Sequence, residues 1–277
     1  MAASIPRTTE IRPEQSVELL KSLHILTRDG KLNQDSRRKL KQVKHLCQFI
    51  APLLEAAFAA SDDPILVDHG AGKSYLGFIL YDQFLNTRAT GRVYGVESRG
   101  ELVRASRQLA DKLGFRRMRF YDFTVSEAIE TPDIPAKIDI VTALHACDTA
   151  TDDAIRFALA RKADAIVLVP CCQAEVASML RRTKSGALSH MALSELWRHS
   201  LHTREFASHL TNVLRCLLLQ AHGYQVTVTE LVGWEHSLKN ELIIAHRIDV
   251  PNGEARKRAI AILDALELSA LRERFIY

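Results

Sequence analysis

The chain has 277 residues, 47% of them hydrophobic and 25% charged, which is ordinary globular composition and fits one large domain, or one with an appendage, whose core needs no disulfides. No run of about 18 apolar residues occurs, so no membrane span is expected, and the N-terminus lacks the apolar core of a signal peptide. Five cysteines (Cys47, Cys147, Cys171, Cys172 and Cys216) without a CxxC pair point to reduced thiols and a cytoplasmic location.

The net charge of +4 is unevenly placed: residues 1–60 hold ten Lys/Arg against six Asp/Glu, and the remainder is neutral. Such an excess fits an anionic partner or a plain solvated helix. Residues 13–27 read as a helix opening on Pro13 and Glu14. RDGKLN is a turn, and Asp35-Ser36 is placed to cap a second helix over about 37–59. There Leu40, Val43, Leu46, Cys47 and Ile50 recur at helical spacing, while Arg37, Arg38, Lys41 and Lys44 take the other face. Residues 1–62 are thus expected to form a basic helical extension.

After Pro64 short apolar runs alternate with longer amphipathic ones. Strands are expected at 65–70, 91–98, 118–125, 137–148, 163–172, 224–232 and 241–248. Helices are expected at 74–85, from 98 to about 113, at 151–162 with Thr151 as its cap, and from about Glu254 onward. This alternation predicts an α/β fold with a doubly wound, mostly parallel sheet. It occupies residues 63–250, with 173–222 a mostly helical excursion and 251–277 a C-terminal helix.

The stretch DHGAGKSYLG, residues 68–77, admits two readings. A phosphate loop, GxxxxGK[ST], would need glycine at residue 67. Val67 stands there, inside a strand run, and that reading fails. The alternative is a turn that closes the first strand and lets a ligand approach Gly70 and Gly72 closely. The second strand ends in Glu97, a carboxylate able to accept from both ribose hydroxyls of a nucleoside. The third glycine of a dinucleotide site is missing, because Leu76 lies near its place. The third strand adds Asp122, suited to an adenine amino group or simply a turn residue, and Phe123, which can pack on the ring.

With these residues the chain resembles the Rossmann-like S-adenosylmethionine-dependent methyltransferases over residues 64–248. The resemblance implies a seven-stranded sheet with its last strand antiparallel. It also implies that Asp68, Gly70 and Gly72 meet the methionine part of S-adenosyl-L-methionine, Glu97 the ribose, and Asp122 with Phe123 the adenine. Lys73 departs from the small or hydrophobic residue common there and faces the methionine carboxylate or solvent. LHACDTATDDA (144–154), VPCCQ (169–173) and WEHSLKN (234–240) are similar to a subgroup with an HxC(G/D) fourth motif, which includes the transfer-RNA 2'-O-methyltransferase Trm13-like proteins. Asp148 stands where many of those have glycine.

Ligands of open α/β sheets sit beyond the carboxyl ends of the strands. That places His145, Cys147 and Asp148 after the fourth strand, Cys171 and Cys172 after the fifth, and Glu235, His236, Lys239 and Asn240 between the last two. Methyl transfer needs a positioned acceptor and in some cases proton removal. His145 and His236 are candidate bases, His145 alternatively packing against the adenosyl group, and Asp148 is a candidate catalytic acid or a helix cap. Cys171 is a candidate nucleophile, with strand-end filler as the plainer reading. No metal is expected, since adjacent cysteines suit tetrahedral zinc poorly. RNA is the expected substrate, bound by Arg37, Arg38, Lys41, Lys44, Arg181, Arg182, Lys239 and Asn240 as a phosphate rim. A protein or small-molecule acceptor, and a non-catalytic binding module, remain open.

Overall fold

The structure, a computed structural model, describes residues 15–27, 29–144, 146, 148–170, 174–182, 195–196, 198–231 and 241–277, without the side chains of 35, 38, 39 and 42. Its centre is a seven-stranded sheet in the order β3-β2-β1-β4-β5-β7-β6. Strands β1 (Ile65–His69), β2 (Arg92–Val96), β3 (Met118–Tyr121), β4 (Ile140–Leu144) and β5 (Ala165–Val169) run parallel. Strand β7 (Glu241–Arg247) lies between β5 and β6 (Tyr224–Glu230), antiparallel to both. The doubly wound α/β fold is therefore the one the alternation predicts, and its seven strands with the last antiparallel are what the resemblance implies. All five residues of β1 and of β5 are buried, as parallel strands must be when helices cover both faces.

One face carries α1 (Val17–Ser22), α2 (Gln34–Ala60), α3 (Tyr75–Leu80) and α4 (Gly100–Leu113). The other carries α5 (Val125–Glu130), α6 (Thr149–Ala160) and α8 (Ser200–Ala221). A third apolar cluster joins α7 (Ala174–Arg182) and α8 to α9 (Gly253–Ala265) and α10 (Arg272–Phe275). Winding reverses between β1 and β4, which opens a crevice at their carboxyl ends. Among the described residues no helix is long and apolar enough to cross a membrane.

The N-terminal helices differ locally from expectation. Helix α1 ends at Ser22, not residue 27, because His24 adopts a left-handed conformation (φ 55). Ile25 N–H then returns to Leu20 O at 2.8 Å, and His24 N–H to Lys21 O at 3.0 Å. This double closure stops the helix and turns Ile25 into the core, where it is fully buried. Ser16 caps α1 through Leu19 N–H; Pro13 and Glu14 lie outside the described residues.

Helix α2 is capped by Asn33, not by Asp35-Ser36. Asn33 is extended, and its Oδ1 accepts from Ser36 N–H at 2.8 Å, the geometry of a true cap. The helix passes through Pro52 and buries the ridge Leu40, Leu46, Ile50 and Leu54. Each such side chain contributes about 1.5–3 kcal/mol on burial. Helix α3 continues into a π-helical turn, Tyr81–Leu85, whose buried Asp82 accepts Ser16 N–H at 3.0 Å. That bond docks the start of α1 on the core. Thr151 is inside α6 rather than its cap, and its hydroxyl donates to Ala146 O at 2.6 Å.

Candidate active site

The loop leaving β1 takes left-handed backbone at Gly70 (φ 66), Gly72 (φ 58) and Ser74 (φ 50). Glycine adopts this conformation without strain. At Gly70 a Cβ would also stand 3.2 Å from the Cβ of Ala146, so the loop touches the segment after β4. Ser74 is fully buried and held by Asp68: its hydroxyl donates to Asp68 Oδ2 at 3.0 Å. Thr142 Oγ1 donates to the other Asp68 oxygen at 3.1 Å. Asp68 thus ties β1, β4 and the start of α3. Burial pushes its carboxyl up to about 6 against the pull of the two hydroxyls. The close helix–strand approach for which Leu76 offers no glycine is made one residue later. A Cβ on Gly77 would meet Ser74 Oγ at 2.5 Å and Val93 Cγ1 at 3.4 Å. Val67, the residue that excludes a phosphate loop, is fully buried within β1.

Glu97 follows β2 and is almost wholly buried. Its Oε2 accepts Gly72 N–H at 2.8 Å, which joins the glycine loop to the second strand. Arg99 closes on the same carboxylate, with Nε to Oε1 and Nη2 to Oε2 both at 3.0 Å, and its backbone N–H adds a bond at 3.1 Å. Burial opposes the charge, but the Arg99 and Gly72 hydrogen bonds outweigh it and hold the carboxyl below its ordinary value.

A cleft of about 410 Å³ opens over this loop, within the size range of small-molecule sites. Asp68, Gly70, Gly72 and Lys73 form its floor, and Arg99 stands at one side. Ile25, Val43 and Leu46 come down from the N-terminal helices, and Leu144 and Leu231 close the far side. The helical spacing of Val43 and Leu46 marks a buried face. What the spacing could not say is that this face roofs the site. Arg99 was also missed, although a cation two residues after a strand-end acid is a legible signal.

Asp122 lies one strand beyond Glu97, exposed, with Arg107 Nη2 4.0 Å from its carboxylate. Phe123 is half-buried and stacks on Tyr121 with ring centroids 5.1 Å apart. Neither lines the cleft. Arg37 and Lys41 are exposed on α2 and Lys44 is half-buried, one residue from Val43. Arg181 and Arg182 are exposed in the last turn of α7, away from the cleft lining. His145, Cys171, His236, Lys239, Asn240 and the side chain of Arg38 lie outside the described residues. Among the described residues no group of His, Cys, Asp and Glu is arranged to hold a metal.

Behind the segment after β4 lies a polar cluster that sequence reading did not find. Asp148 occupies the N-cap position of α6 at φ 51, ψ −117, yet its side chain makes no cap hydrogen bond. Its carbonyl instead accepts from Arg215 Nη2 at 2.9 Å. Arg215, on α8, is completely buried and grips Asp152 with bonds of 2.6 and 3.1 Å. It also reaches Asn212 at 3.2 Å, and Asn212 donates to Glu241 at 2.9 Å. One buried guanidinium therefore connects the β4–α6 turn to the start of β7.

Residues 38–179, just over half of the chain, match a methyltransferase-domain family. The chain belongs to that family. No curated protein matches this methyltransferase-domain chain in sequence. Similar solved structures include magnesium protoporphyrin IX methyltransferase from Synechocystis PCC 6803 with bound SAH, at 14% identity and a TM-score of 0.45, covering 82% of this chain and 94% of that one. Precorrin-6y C5,15-methyltransferase from Geobacter metallireducens matches at 18% identity and a TM-score of 0.39, covering 71% and 86%. An rRNA methylase from Streptococcus thermophilus matches at 11% and 0.38, covering 68% and 88%. At this similarity none of their activities transfers to this chain.

Proposed function

We propose that this methyltransferase-domain protein transfers a methyl group from S-adenosyl-L-methionine to RNA. The observation that carries the cofactor is the 2.8 Å bond from Gly72 N–H to Glu97. It fixes a glycine loop and a strand-end acid together beside a cleft at the sheet's switch point. The residues lining the cleft fit the group: Glu97 beside it would accept from the ribose hydroxyls on exchange with Arg99, and Asp122 with Phe123, outside the lining, are proposed for an adenine reaching past it along the strand ends. Gly70 and Gly72 leave room for the methionine backbone, with the Lys73 ammonium near its carboxylate. The cofactor supplies a methyl group on a positively charged sulfur. The aliphatic roof of Ile25, Val43 and Leu46 keeps water from the cleft, and the loop fixes the reacting geometry.

For the acceptor, support comes from the basic stripe Arg37, Lys41 and Lys44 on α2, beside the ridge that lines the cleft. It is the kind of surface that meets phosphates. LHACD and WEHSLKN resemble a subgroup that includes transfer-RNA 2'-O-methyltransferases, a weaker support for the same class. His145, His236 and Asp148 are proposed to handle the acceptor's proton, and Lys239 and Asn240 to contact it.

Calorimetry with S-adenosylmethionine and ATP tests the cofactor. Glu97→Ala should weaken sulfonium binding about 10- to 100-fold, as expected for a charged hydrogen bond. Unchanged affinity would remove the ribose role, and tight ATP binding with none for the sulfonium would overturn the proposal. Radiolabelled methyl transfer to RNA, protein and small-molecule fractions then decides the acceptor.

A further inference from the structure

Among the described residues strand β6 is the last strand of the sheet and is hydrogen-bonded only to β7. Gln225, Thr227, Val228 and Glu230 are exposed along it. On the open side every second residue directs its N–H and C=O outward, and no strand among the described residues lies opposite. Natural edges are usually blunted by lysine, proline, a bulge or a covering element. The sequence YQVTVTE has no lysine and no proline. Its register with β7 runs unbroken from Tyr224↔Arg247 to Glu230↔Glu241.

The same edge gathers apolar surface. Among the described residues seven large hydrophobic side chains are exposed, and four of them, Val213 (46%), Val228 (51%), Ile248 (48%) and Val250 (64%), lie here. Ile248 N–H bonds to Gly223 O at 2.8 Å, immediately before β6. Ile248 and Val250 line a groove of about 580 Å³ with Tyr224 and Val226. At the other end Asn212 holds Glu241, the β7 neighbour of Glu230, which sets the adjacent Val213 near the Val228 end. Apolar surface concentrated in this way marks an interaction site.

We propose that this edge pairs with β6 of a second copy of the chain, antiparallel, about a two-fold axis at Thr227. A two-fold axis perpendicular to the sheet keeps each face with its like face. Centring on Thr227 then sets Val226 against the partner's Val228, and Val228 against the partner's Val226. Gln225 meets the partner's Thr229 on the opposite face. β-Branched and hydroxyl pairs of this kind stabilise an antiparallel ladder. Glu230 is the strand's single charged residue, and it faces the partner's Tyr224, so no like charges meet. An acidic peptide would find no counter-charge along the strand and a basic one only Glu230 at its end, whereas a second copy matches the strand residue for residue. Because the faces are kept, α8 of each copy also comes to the same side. That extends the contact beyond the ladder toward the roughly 1,200–2,000 Å² of a stable interface.

Sedimentation velocity of the full chain over a wide concentration range tests this. The wild type should be a dimer, and Val228→Ile should remain one. Val228→Lys should raise the dimer dissociation constant about 30-fold, because symmetry installs the lesion twice. Its melting temperature in the monomer should be unchanged, since the side chain is half exposed. Thr227→Cys should cross-link to its own copy with a short bismaleimide where the wild type does not. A wild type that stays monomeric throughout would overturn the proposal. So would a dimer that Val228→Lys leaves intact and Thr227→Cys fails to trap.

Discussion

The carboxyl edge of the sheet is held in two different ways on the two sides of its switch point. Over β1 and β2 a carboxylate grips a backbone N–H: Glu97 binds Gly72, with Arg99 60% exposed on its outer side. Beyond β4 a guanidinium grips a backbone carbonyl: Arg215 binds Asp148, and its side chain is only 1% exposed. The first clamp lies beside the cleft and can exchange its protein partner for a ligand. The second is buried on the inner face of α8 and is closed to solvent. A loop that must accommodate a ligand is tied by a partner near solvent, whereas a turn that must stay fixed is tied from inside the core.

The contrast predicts unequal costs. Arg215→Met leaves Asp152, mostly shielded, with the more distant Arg274 at 3.7 Å in place of its main partner, which should lower stability by about 3 kcal/mol. It also frees the Asp148 carbonyl. Glu97→Gln keeps the shape and an acceptor for Gly72 N–H while weakening a half-solvated pair, and should cost about 1 kcal/mol. Urea unfolding of both variants measures the two costs. Equal losses would show that the two clamps do not differ in the way their burial implies.

The same contrast explains what was legible beforehand. The glycine loop and Glu97 stand 25 residues apart, one strand–helix–strand unit, so their meeting follows from local order. The sheet follows likewise from alternating apolar runs. Arg215 and Asp148 are 67 residues apart, and Asp152 looks like any acid in a first helical turn. Only tertiary packing brings α8 across α6, and no local pattern encodes that. Val43 and Leu46 were readable as a buried face but not as a roof, because period gives the face and not its partner. The end of α1 was misjudged because His24 takes a left-handed conformation usually reserved for glycine or asparagine.

Asp68 and His69 sharpen the comparison at a single strand end. Alternation along β1 sends Asp68 to the loop side, where both oxygens are bonded. It sends His69 to the α6 side, where both ring nitrogens are buried without partners among the described residues and the ring packs 5.3 Å from Phe157. Burial raises the Asp68 carboxyl to about 6 and lowers the His69 imidazole to about 4. As pH rises from about 4 to 6, unfolded Asp68 ionises while the folded form keeps its proton, so stability falls by roughly 3 kcal/mol. As pH falls from about 6.5 to 4, unfolded His69 gains a proton that the folded form refuses, so stability again falls by roughly 3 kcal/mol. In the wild type these slopes oppose each other between about pH 4 and 6. Asp68→Asn should therefore gain stability with rising pH across that window relative to the wild type. His69→Leu should lose it, and should be the more stable protein at pH 7. Parallel profiles for all three proteins would remove the assigned burial of both groups.

The smallest expected effect separates the roof of the cleft from its floor. Asn33 caps α2 by accepting Ser36 N–H, and Asn33→Ala should cost about 1 kcal/mol. In a protein of this size that lowers the melting temperature by about 2–4 °C. Val43 and Leu46 lie two turns and more beyond the cap, held by the buried ridge of Leu40, Ile50 and Leu54. Fraying of the first turn should therefore stop short of them, because the ridge and not the cap fixes the roof. Calorimetric affinity for S-adenosylmethionine should stay within about twofold of wild type, while Glu97→Ala loses much more. A matching loss of affinity in Asn33→Ala would mean that the start of α2 sets the height of the roof, and that the N-terminal helices hold the cofactor as directly as the glycine loop does.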